Sequence, residues 1–214
     1  MVDTFQYIIN KYKINVGRQY IVDVPGIDGR KGLAELFAEL GFNKGAEIGV
    51  FKGKYSQELL DANPNLHLYG VDPWELAAHP EGVFKGGEKQ ELFDNIYEEA
   101  KKRLTPYKNF TFVKKYSMDA LKDFEDNSLD FVYIDAGHDF VNFTLDLDGW
   151  LKKVRPGGII SGHDYTRFSR RKMIHVIWVL QAYIRAYGLI PLFTLLYKKH
   201  PTMDRYRSWF YVKK

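Results

Sequence analysis

The sequence Gly45-Ala-Glu-Ile-Gly-Val-Phe-Lys-Gly-Lys-Tyr-Ser56 decides how the rest of this chain is interpreted. Residues 46–50 are short, apolar and bounded by glycines, which is typical of a buried strand. Gly49 and Gly53 come next, and residues 55–60 have the pattern of a helix. A strand, a glycine turn and a helix in this order form the ligand-binding edge of open α/β sheets, because glycine lets the backbone approach a bound molecule closely.

The spacing of this turn, Glu47-x-Gly49-x-x-x-Gly53, differs from the G-x-G-x-x-G of dinucleotide-binding proteins. Phe51 stands where a second close glycine would admit a pyrophosphate. Glu47, inside the strand, would repel that group, whereas an acid at this position suits a cationic ligand. The pattern therefore disfavours an NAD-dependent oxidoreductase. The alternative to a ligand site is an ordinary turn between a strand and a helix.

The composition is that of one globular domain. The chain has 214 residues, of which 45% are hydrophobic and 27% charged, so it can bury a substantial core. It contains no cysteine, which excludes disulfides, thiolate metal sites and cysteine nucleophiles. The first residues lack the apolar run of a signal peptide, and polar side chains and a proline interrupt the apolar residues 173–196. We therefore expect a cytoplasmic protein without a membrane span.

Basic residues exceed acidic ones and give a formal net charge of +4 at pH 7. They cluster at residues 101–103, 167–172 and 213–214. Such runs are usually solvated surfaces or helix ends, so they permit an anionic partner without requiring one. Nucleic acid is therefore a less favoured partner than a small molecule.

We predict an N-terminal leader with a short helix over residues 1–29 and a single domain over residues 30–214. In the domain, strands and helices alternate, which is typical of a mainly parallel sheet with right-handed crossovers. The predicted strands are 46–50, 66–71, 110–113, 129–134, 159–162, 189–197 and 206–212, and the predicted helices are 30–40, 55–60, 90–104, 117–120, 140–154 and 169–187.

The last two predicted strands have no helix between them, so we expect them to pair in antiparallel orientation. The predicted fold class is a doubly wound, Rossmann-like α/β sheet of seven strands, mainly parallel, with an antiparallel last strand. Residues 77–88 contain Pro80 and three glycines, and this composition favours a mobile lid over a regular element.

An acid ends the second strand of the domain. Asp72 follows Gly49 by 23 residues, which is close to the spacing at which an acid accepts both ribose hydroxyls of a bound nucleoside. Capping of the turn before Pro73 is the alternative role for Asp72. Trp74 could cover a purine face or belong to the core.

Polar side chains also follow the other predicted strands. Because the carboxyl ends of parallel strands meet at one edge of a sheet, we expect these side chains to lie together and form a ligand site. They are Glu47, Asp72, Ser117, Asp135, His138, His163 and Asp164.

Taken together, the chain resembles a class I S-adenosylmethionine-dependent methyltransferase. Within that class it is similar to the metal-dependent O-methyltransferases of small molecules and sugars (methyltransferase family 24-like) and to cephalosporin-hydroxylase-like proteins. The resemblance extends from Arg30 to the C-terminus. Its motifs are Glu47-Ile-Gly-Val-Phe-Lys-Gly53, Val71-Asp-Pro-Trp74, Tyr133-Ile-Asp-Ala-Gly-His138 and Pro156-Gly-Gly-Ile-Ile-Ser-Gly-His-Asp164.

The resemblance implies roles for named residues. The glycine turn would hold the methionine part of the cofactor, Asp72 the ribose, and Ser117 with Met118 would border the adenine. The full set of implied cofactor-binding residues is Glu47, Gly49, Val50, Phe51, Gly53, Ser56, Asp72, Pro73, Trp74, Ser117, Met118 and Asp135. The implied metal ligands are Asp135, His163 and Asp164, and His163 departs from the acid that sugar-modifying relatives usually carry. The implied catalytic residues are His138, as general base, and Asp135.

The chemistry of such a site follows from the reactants. A sulfonium donor has a good leaving group, so the protein must align the donor with the acceptor and help to deprotonate a hydroxyl. A divalent cation lowers the pKa of an oxygen that it binds, and two aspartates favour Mg²⁺, with Mn²⁺ next. The predicted function is methyl transfer from S-adenosyl-L-methionine to a hydroxyl of a small molecule, with sugars as one class of acceptor.

Other functions were weighed against this prediction. The same fold could modify RNA or protein if the basic clusters surrounded the site. The chain lacks an Asn-Pro-Pro-Tyr-type motif, which disfavours amino groups of nucleobases as targets. A non-catalytic relative that only binds the cofactor is the third possibility. The sequence leaves open whether the protein forms a homo-oligomer.

Overall fold

The computed structural model describes residues 3–78, 89–166, 174–195 and 206–214. Within these ranges, eight strands form one sheet, flanked by α-helices and two short 3₁₀-helices, Leu76–Ala78 and Leu121–Asp123. The main elements are α1 (Thr4–Tyr12), β1 (Ile21–Val24), α2 (Gly29–Glu39), β2 (Lys44–Ile48), α3 (Lys54–Ala62), β3 (His67–Val71), α4 (Gln90–Leu104), β4 (Phe110–Val113), α5 (Ser117–Ala120), β5 (Leu129–Ile134), α6 (Phe140–Lys153), β6 (Val154–Gly162), α7 (Val176–Tyr187), β7 (Leu192–Leu195) and β8 (Trp209–Val212).

The strand order is β1-β7-β8-β6-β5-β2-β3-β4. Every pairing is parallel except those of β8, which runs antiparallel to both β6 and β7. This confirms the predicted doubly wound α/β fold, with its mainly parallel sheet and antiparallel last strand. From neighbouring strands β2 and β5 the chain continues in opposite directions, so the switch point at which such sheets bind ligands lies between them.

The predicted count of seven strands was wrong by one. Ile21–Val24, within the predicted leader, forms the edge strand β1 and pairs in parallel with β7. Val22 and Val24 are buried, whereas Asp23 accepts hydrogen bonds from Thr194 and Arg207. A strand of four residues is too short to show a clear alternation of apolar and polar side chains, which explains why the sequence did not indicate it.

Strand β6 is also longer than predicted, because it begins at Val154 and not at residue 159. The pairing with β5 shifts register between Leu129 and Phe131. This irregularity accommodates Pro156 and Gly157, which precede the predicted strand.

Two apolar layers cover the sheet. On one face, α2, α3 and α4 contribute Leu33, Phe37, Leu59 and Ile96 to a cluster with Phe131. The ring centroids of Phe37 and Phe131 are 4.2 Å apart. On the other face, α6 and α7 contribute Leu147, Trp150 and Leu180, among other side chains. Each such buried side chain stabilises the fold by roughly 1.5–3 kcal/mol, so the core holds the ends of the strands firmly in place.

Several predictions concern residues outside the described ranges. They are most of the lid predicted at 77–88, the basic cluster at 167–172, the start of the helix predicted at 169–187, and the segment between the last two predicted strands. In the described part of the chain, that helix corresponds to α7 and the two final strands to β7 and β8, each of which begins later than predicted. Across the four described ranges, no helix is both long and apolar enough to cross a membrane.

Candidate functional site

The glycine turn, residues 49–53, is held at the end of β2 by backbone contacts. Gly49 has a φ of 93°, and a Cβ atom there would overlap the Asp135 carbonyl oxygen. The N–H of Asp135 donates to the Ile48 carbonyl over 2.8 Å. Gly53 has a φ of 72°, and a Cβ atom there would lie 2.6 Å from Leu104 Cδ1. Both positions therefore require glycine, and the first brings the turn against the segment that follows β5.

The Asp72 carboxylate holds the same turn from the end of β3. Its Oδ2 accepts from the N–H of Val50 at 3.0 Å and of Phe51 at 2.9 Å, and its Oδ1 accepts from the N–H of Trp74 at 2.7 Å. Phe51 has a φ of 51°, a conformation that these hydrogen bonds help to maintain. Each carboxylate oxygen has two lone pairs, so Asp72 can also accept from a ligand.

Trp74 lies in the core. Its side chain is 1% exposed, its Nε1 donates to the Phe51 carbonyl at 2.8 Å, and its ring packs on Tyr97 and Phe112. Of the two roles considered for Trp74, the geometry favours the core over a purine-covering surface. Pro73 is half-buried beside it.

Glu47 is buried in β2, with 2% exposure, and its carboxylate accepts a short hydrogen bond from Ser56 Oγ. Burial raises the pKa of Glu47 to about 8; the nearby Asp135 and Asp72 also raise it, whereas Ser56 and Arg30 lower it. The side chain is therefore mostly protonated at pH 7. A cation bound nearby would favour the ionised form, so this environment is suited to a positively charged ligand.

Ser117 is placed at the start of α5, after β4, as predicted, but its hydroxyl is oriented towards α6. It donates a short hydrogen bond to Asp146 and accepts one from Trp150 Nε1 at 2.8 Å. Asp146 is buried, and burial raises its pKa to about 6. Met118 and Phe51 remain exposed. Asp146 belongs to no motif and was not predicted, although its spacing of four from Trp150 places both on one face of a helix.

Asp135, His138 and Asp164 form a second group, which we call the polar cluster. Ile134 and Gly162 pair in the parallel strands β5 and β6, so the segments after them leave the sheet side by side. His138 Nε2 lies 3.1 Å from Asp164 Oδ2 and 3.8 Å from Asp135 Oδ1. One ligand atom from each of these three residues lies within 4.8 Å of the other two, a spacing that can hold a metal ion.

His163 lies beside the polar cluster. Its Nδ1 is 3.9 Å from Asp135 Oδ1 and 3.7 Å from Asp164 Oδ1, and its side chain is buried. The predicted metal set contained His163, whereas the set that the geometry brings together contains His138. Spacing in the sequence could not decide between them, because both follow strands that end at the same edge.

Asp164 has two unusual features. Its φ is 59°, in the left-handed region that side chains other than glycine rarely adopt. Its carboxylate is 5% exposed, and Oδ1 accepts no hydrogen bond from any residue in the described ranges. Burial acts to raise the pKa of Asp164, but the neighbouring His163 and His138 bring it below its usual value. An ionised, buried oxygen without a hydrogen bond is costly, so this group is suited to binding a cation.

Two further residues reach the polar cluster from distant parts of the chain. Arg30 Nη1 lies 3.3 Å from Asp135 Oδ2. His175 accepts from the Phe140 N–H at its Nδ1, at 2.9 Å, and its own N–H donates to the His138 carbonyl at 2.7 Å. Neither residue belongs to a motif, so no pattern in the sequence indicated that they would lie here.

A family model described as a methyltransferase domain matches residues 46–165, more than half of the chain. The matched range begins in β2, before the glycine turn, and ends just after Asp164. It therefore contains both the turn and the polar cluster.

Solved structures share the whole fold. An O-methyltransferase from Bacillus cereus, in complex with SAH, is 18% identical with a TM-score of 0.62, and the alignment covers 100% of this chain and 92% of that one. The O-methyltransferase TomG from Streptomyces achromogenes, in complex with SAM and involved in tomaymycin synthesis, is 16% identical with a TM-score of 0.60. This alignment covers 100% of this chain and 91% of TomG. At these identities the likeness establishes the fold.

A curated relative, an uncharacterized protein of Sinorhizobium fredii, is 28% identical over 97 residues, which is 45% of this chain and 10% of that protein. The chain thus spans about a tenth of the length of the curated relative that it matches. The family match and the shared fold agree with the resemblance seen in the sequence motifs. The chain belongs to the methyltransferase-domain family, and its fold is that of the solved O-methyltransferases.

Proposed function

We propose that this protein transfers a methyl group from S-adenosylmethionine to a hydroxyl of a small molecule, with a divalent cation at the polar cluster. The observation that carries the proposal is the contact between the glycine turn and the polar cluster. Gly49 packs against the backbone of Asp135 at the switch point of the sheet. A donor held by the turn and an acceptor held at the cluster would therefore be neighbours, and proximity of the two reactants is the main requirement of methyl transfer.

The residues around the turn fit the cofactor. Glu47 is suited to a cationic group, the glycine turn to the methionine part and Asp72 to the ribose, while the segment of Ser117 and Met118 would border the adenine. S-adenosylmethionine supplies an activated methyl group on a sulfonium. The task of the protein is then to orient it towards the acceptor and to exclude water.

The polar cluster fits a divalent cation that prefers oxygen ligands. The supporting observations are the unsatisfied Oδ1 of Asp164 and the grouping of Asp135, His138 and Asp164. Such a cation would supply Lewis acidity, which lowers the pKa of a bound hydroxyl. We propose Mg²⁺ or Mn²⁺. An imidazole in the set shifts the preference away from Mg²⁺, relative to a set of carboxylates alone.

His138 has one lone pair at Nε2, so it can either bind the cation or accept the proton of the hydroxyl. We propose the role of ligand, because its Nε2 belongs to the group of three. The role of general base, which the motif predicts, is the alternative. The 3.1 Å contact with Asp164 would then orient the imidazole.

A cation with three protein ligands leaves coordination positions for an acceptor. Two neighbouring hydroxyls can occupy two such positions and chelate the ion, so we propose an acceptor with adjacent oxygens, as found in sugars and catechols. Contacts of the basic clusters support a small molecule over nucleic acid. Lys101 pairs with Glu98, and Lys213 Nζ donates to carbonyls, including that of Val154 at 2.7 Å.

Calorimetry with S-adenosylhomocysteine, with and without Mn²⁺, tests the cofactor and the cation together. We expect the nucleoside to bind, and we expect methyl transfer to a vicinal diol to stop in EDTA and return with Mg²⁺ or Mn²⁺. A folded protein that fails to bind the nucleoside at millimolar concentration would contradict the proposed function. Full activity in EDTA, with no metal found by elemental analysis, would contradict the role of the cation and leave the proposed methyl transfer intact.

A further inference from the structure

Arg30 is a cation placed among carboxylates at the centre of the site. It is the second residue of α2, and its side chain is 18% exposed, so it is largely removed from water yet still accessible. Its Nη1 lies 3.3 Å from Asp135 Oδ2, which is longer than the 2.7–2.9 Å of a well-formed charge-assisted hydrogen bond. A guanidinium carries five N–H donors, so it can bind more than one anion at once.

Arg30 also lies beside the start of the helix that follows the glycine turn. Its Cζ lies 5.5 Å from the ring centroid of Tyr55, which is the second residue of α3 and follows Gly53 closely in the chain. The charge of Arg30 also acts on the buried Glu47 of β2. Arg30 and Glu47 thus offer one cation and one acid beside the turn.

This pair matches a zwitterion. The methionine part of S-adenosylmethionine carries an ammonium and a carboxylate on one carbon atom, and the two groups need partners of opposite charge within a short distance. We infer that Arg30 binds the α-carboxylate of the cofactor, opposite the ammonium that Glu47 favours. This inference rests on the proposed function, and it adds a determinant of cofactor specificity that lies outside the motifs.

The contact with Tyr55 indicates that Arg30 binds the cofactor and not the methyl acceptor. A guanidinium that stacks on an aromatic ring keeps its edges available for bidentate bonds to a carboxylate. Because this ring belongs to the helix that begins at the glycine turn, the guanidinium is held on the side of the methionine part.

The test compares two ligands in three proteins by calorimetry. The ligands are S-adenosylhomocysteine and its decarboxylated form, and the proteins are the wild type, Arg30→Met and Arg30→Lys. We expect Arg30→Met to bind S-adenosylhomocysteine about 10- to 100-fold more weakly, as for the loss of a hydrogen bond between charged groups. Its affinity for the decarboxylated ligand should be nearly that of the wild type. Arg30→Lys should keep part of the preference for the carboxylate.

Arg155→Met is the matched control. Arg155 Nε pairs with Asp130 Oδ1 at 2.7 Å, with partial burial, and Arg155 lies near the start of β6, at the opposite edge of the sheet. This variant should bind both ligands as the wild type does. If Arg30→Met loses the same factor for both ligands, or none for S-adenosylhomocysteine, the inference is overturned. If the wild type binds neither ligand, the proposed function itself fails.

Discussion

The glycine turn and the polar cluster meet at one edge of the sheet, but they differ in how their polar groups are satisfied. In the turn, the Asp72 carboxylate accepts three backbone N–H groups, and Ser56 donates to the buried Glu47. In the cluster, Asp164 combines a φ of 59° with a buried oxygen that accepts no hydrogen bond from the described residues.

This difference separates a preformed site from one that needs a ligand. Hydrogen bonds within the turn keep its shape whether or not a nucleoside is present, because both partners of each bond belong to the chain itself. In the cluster, the buried Asp164 Oδ1 without a hydrogen bond costs free energy, and a bound cation would offset this cost. We therefore expect changes in one region to leave the other region largely intact, and four experiments can break or sharpen that expectation.

The largest effect is expected for His138→Ala. Loss of a group that binds the cation or accepts the proton of the reacting hydroxyl should lower turnover by about 10²- to 10⁴-fold, with the affinity for S-adenosylhomocysteine almost unchanged. Saturating Mn²⁺ should restore part of the turnover if His138 is a ligand, and none if it is the base. His67→Ala, at the amino end of β3, is the control histidine. An equal loss of nucleoside affinity would mean that the two regions act as one unit.

Asp164→Asn should raise the Mn²⁺ concentration needed for half-saturation by at least about tenfold, since loss of even an outer partner of a metal ligand costs that much. Electron paramagnetic resonance of free Mn²⁺ measures this directly. The matched control is Asp148→Asn, which removes an exposed helical pair with Lys152. Unchanged Mn²⁺ affinity in Asp164→Asn would leave the carboxylate without a role in cation binding.

Asp72→Ala acts on the turn. We expect it to weaken binding of S-adenosylhomocysteine by about 1–3 kcal/mol, because it removes hydrogen bonds to a charged group that also holds the turn. Calorimetry measures the loss, and Mn²⁺ affinity of the same variant should match that of the wild type. If Asp72→Ala weakened Mn²⁺ binding as much as nucleoside binding, the glycine turn and the polar cluster would not be independent.

The fourth experiment measures stability as a function of pH and leaves turnover and binding aside. The pKa of Glu47 is raised from 4.5 to about 8 in the folded protein, so the folded state holds an extra proton between these values. The free energy of unfolding should therefore decrease as pH rises from about 4.5 to about 8. Glu47→Gln should flatten this slope in urea titrations at several pH values. Asp146, whose pKa is raised to about 6, adds a slope of the same sign below that pH, and this part should persist in the variant.

The fold and the grouping of strand ends could be predicted because they depend on local patterns. Alternating strands and helices indicate a parallel sheet, and the ends of parallel strands share an edge, so Asp135 and Asp164 were expected to be neighbours. The family match confirmed the class of protein. In contrast, the roles of individual site residues stay proposals, since the sequence does not show which atoms face each other.

The features that sequence analysis missed depend on contacts between distant residues. Arg30 meets Asp135 across 105 residues, and His175 reaches the His138 segment from the start of α7. The sequence left two roles open for Asp72, because a carboxylate that binds backbone N–H groups looks the same in sequence as one that binds a ribose. Strand β1 was too short to give a periodic signal.

The place of β8 in the sheet has a consequence for synthesis. Trp209–Val212 lies between β6 and β7, although it is the last strand in the chain. As the nascent chain leaves the ribosome, β6 has one unpaired edge until β8 has been synthesised. Unpaired strand edges can pair with other chains and promote aggregation. Strand β1 remains without its partner β7 for longest, because the contact between Asp23 and Thr194 spans 171 residues. Nascent chains that stall before residue 209 should therefore depend strongly on chaperones.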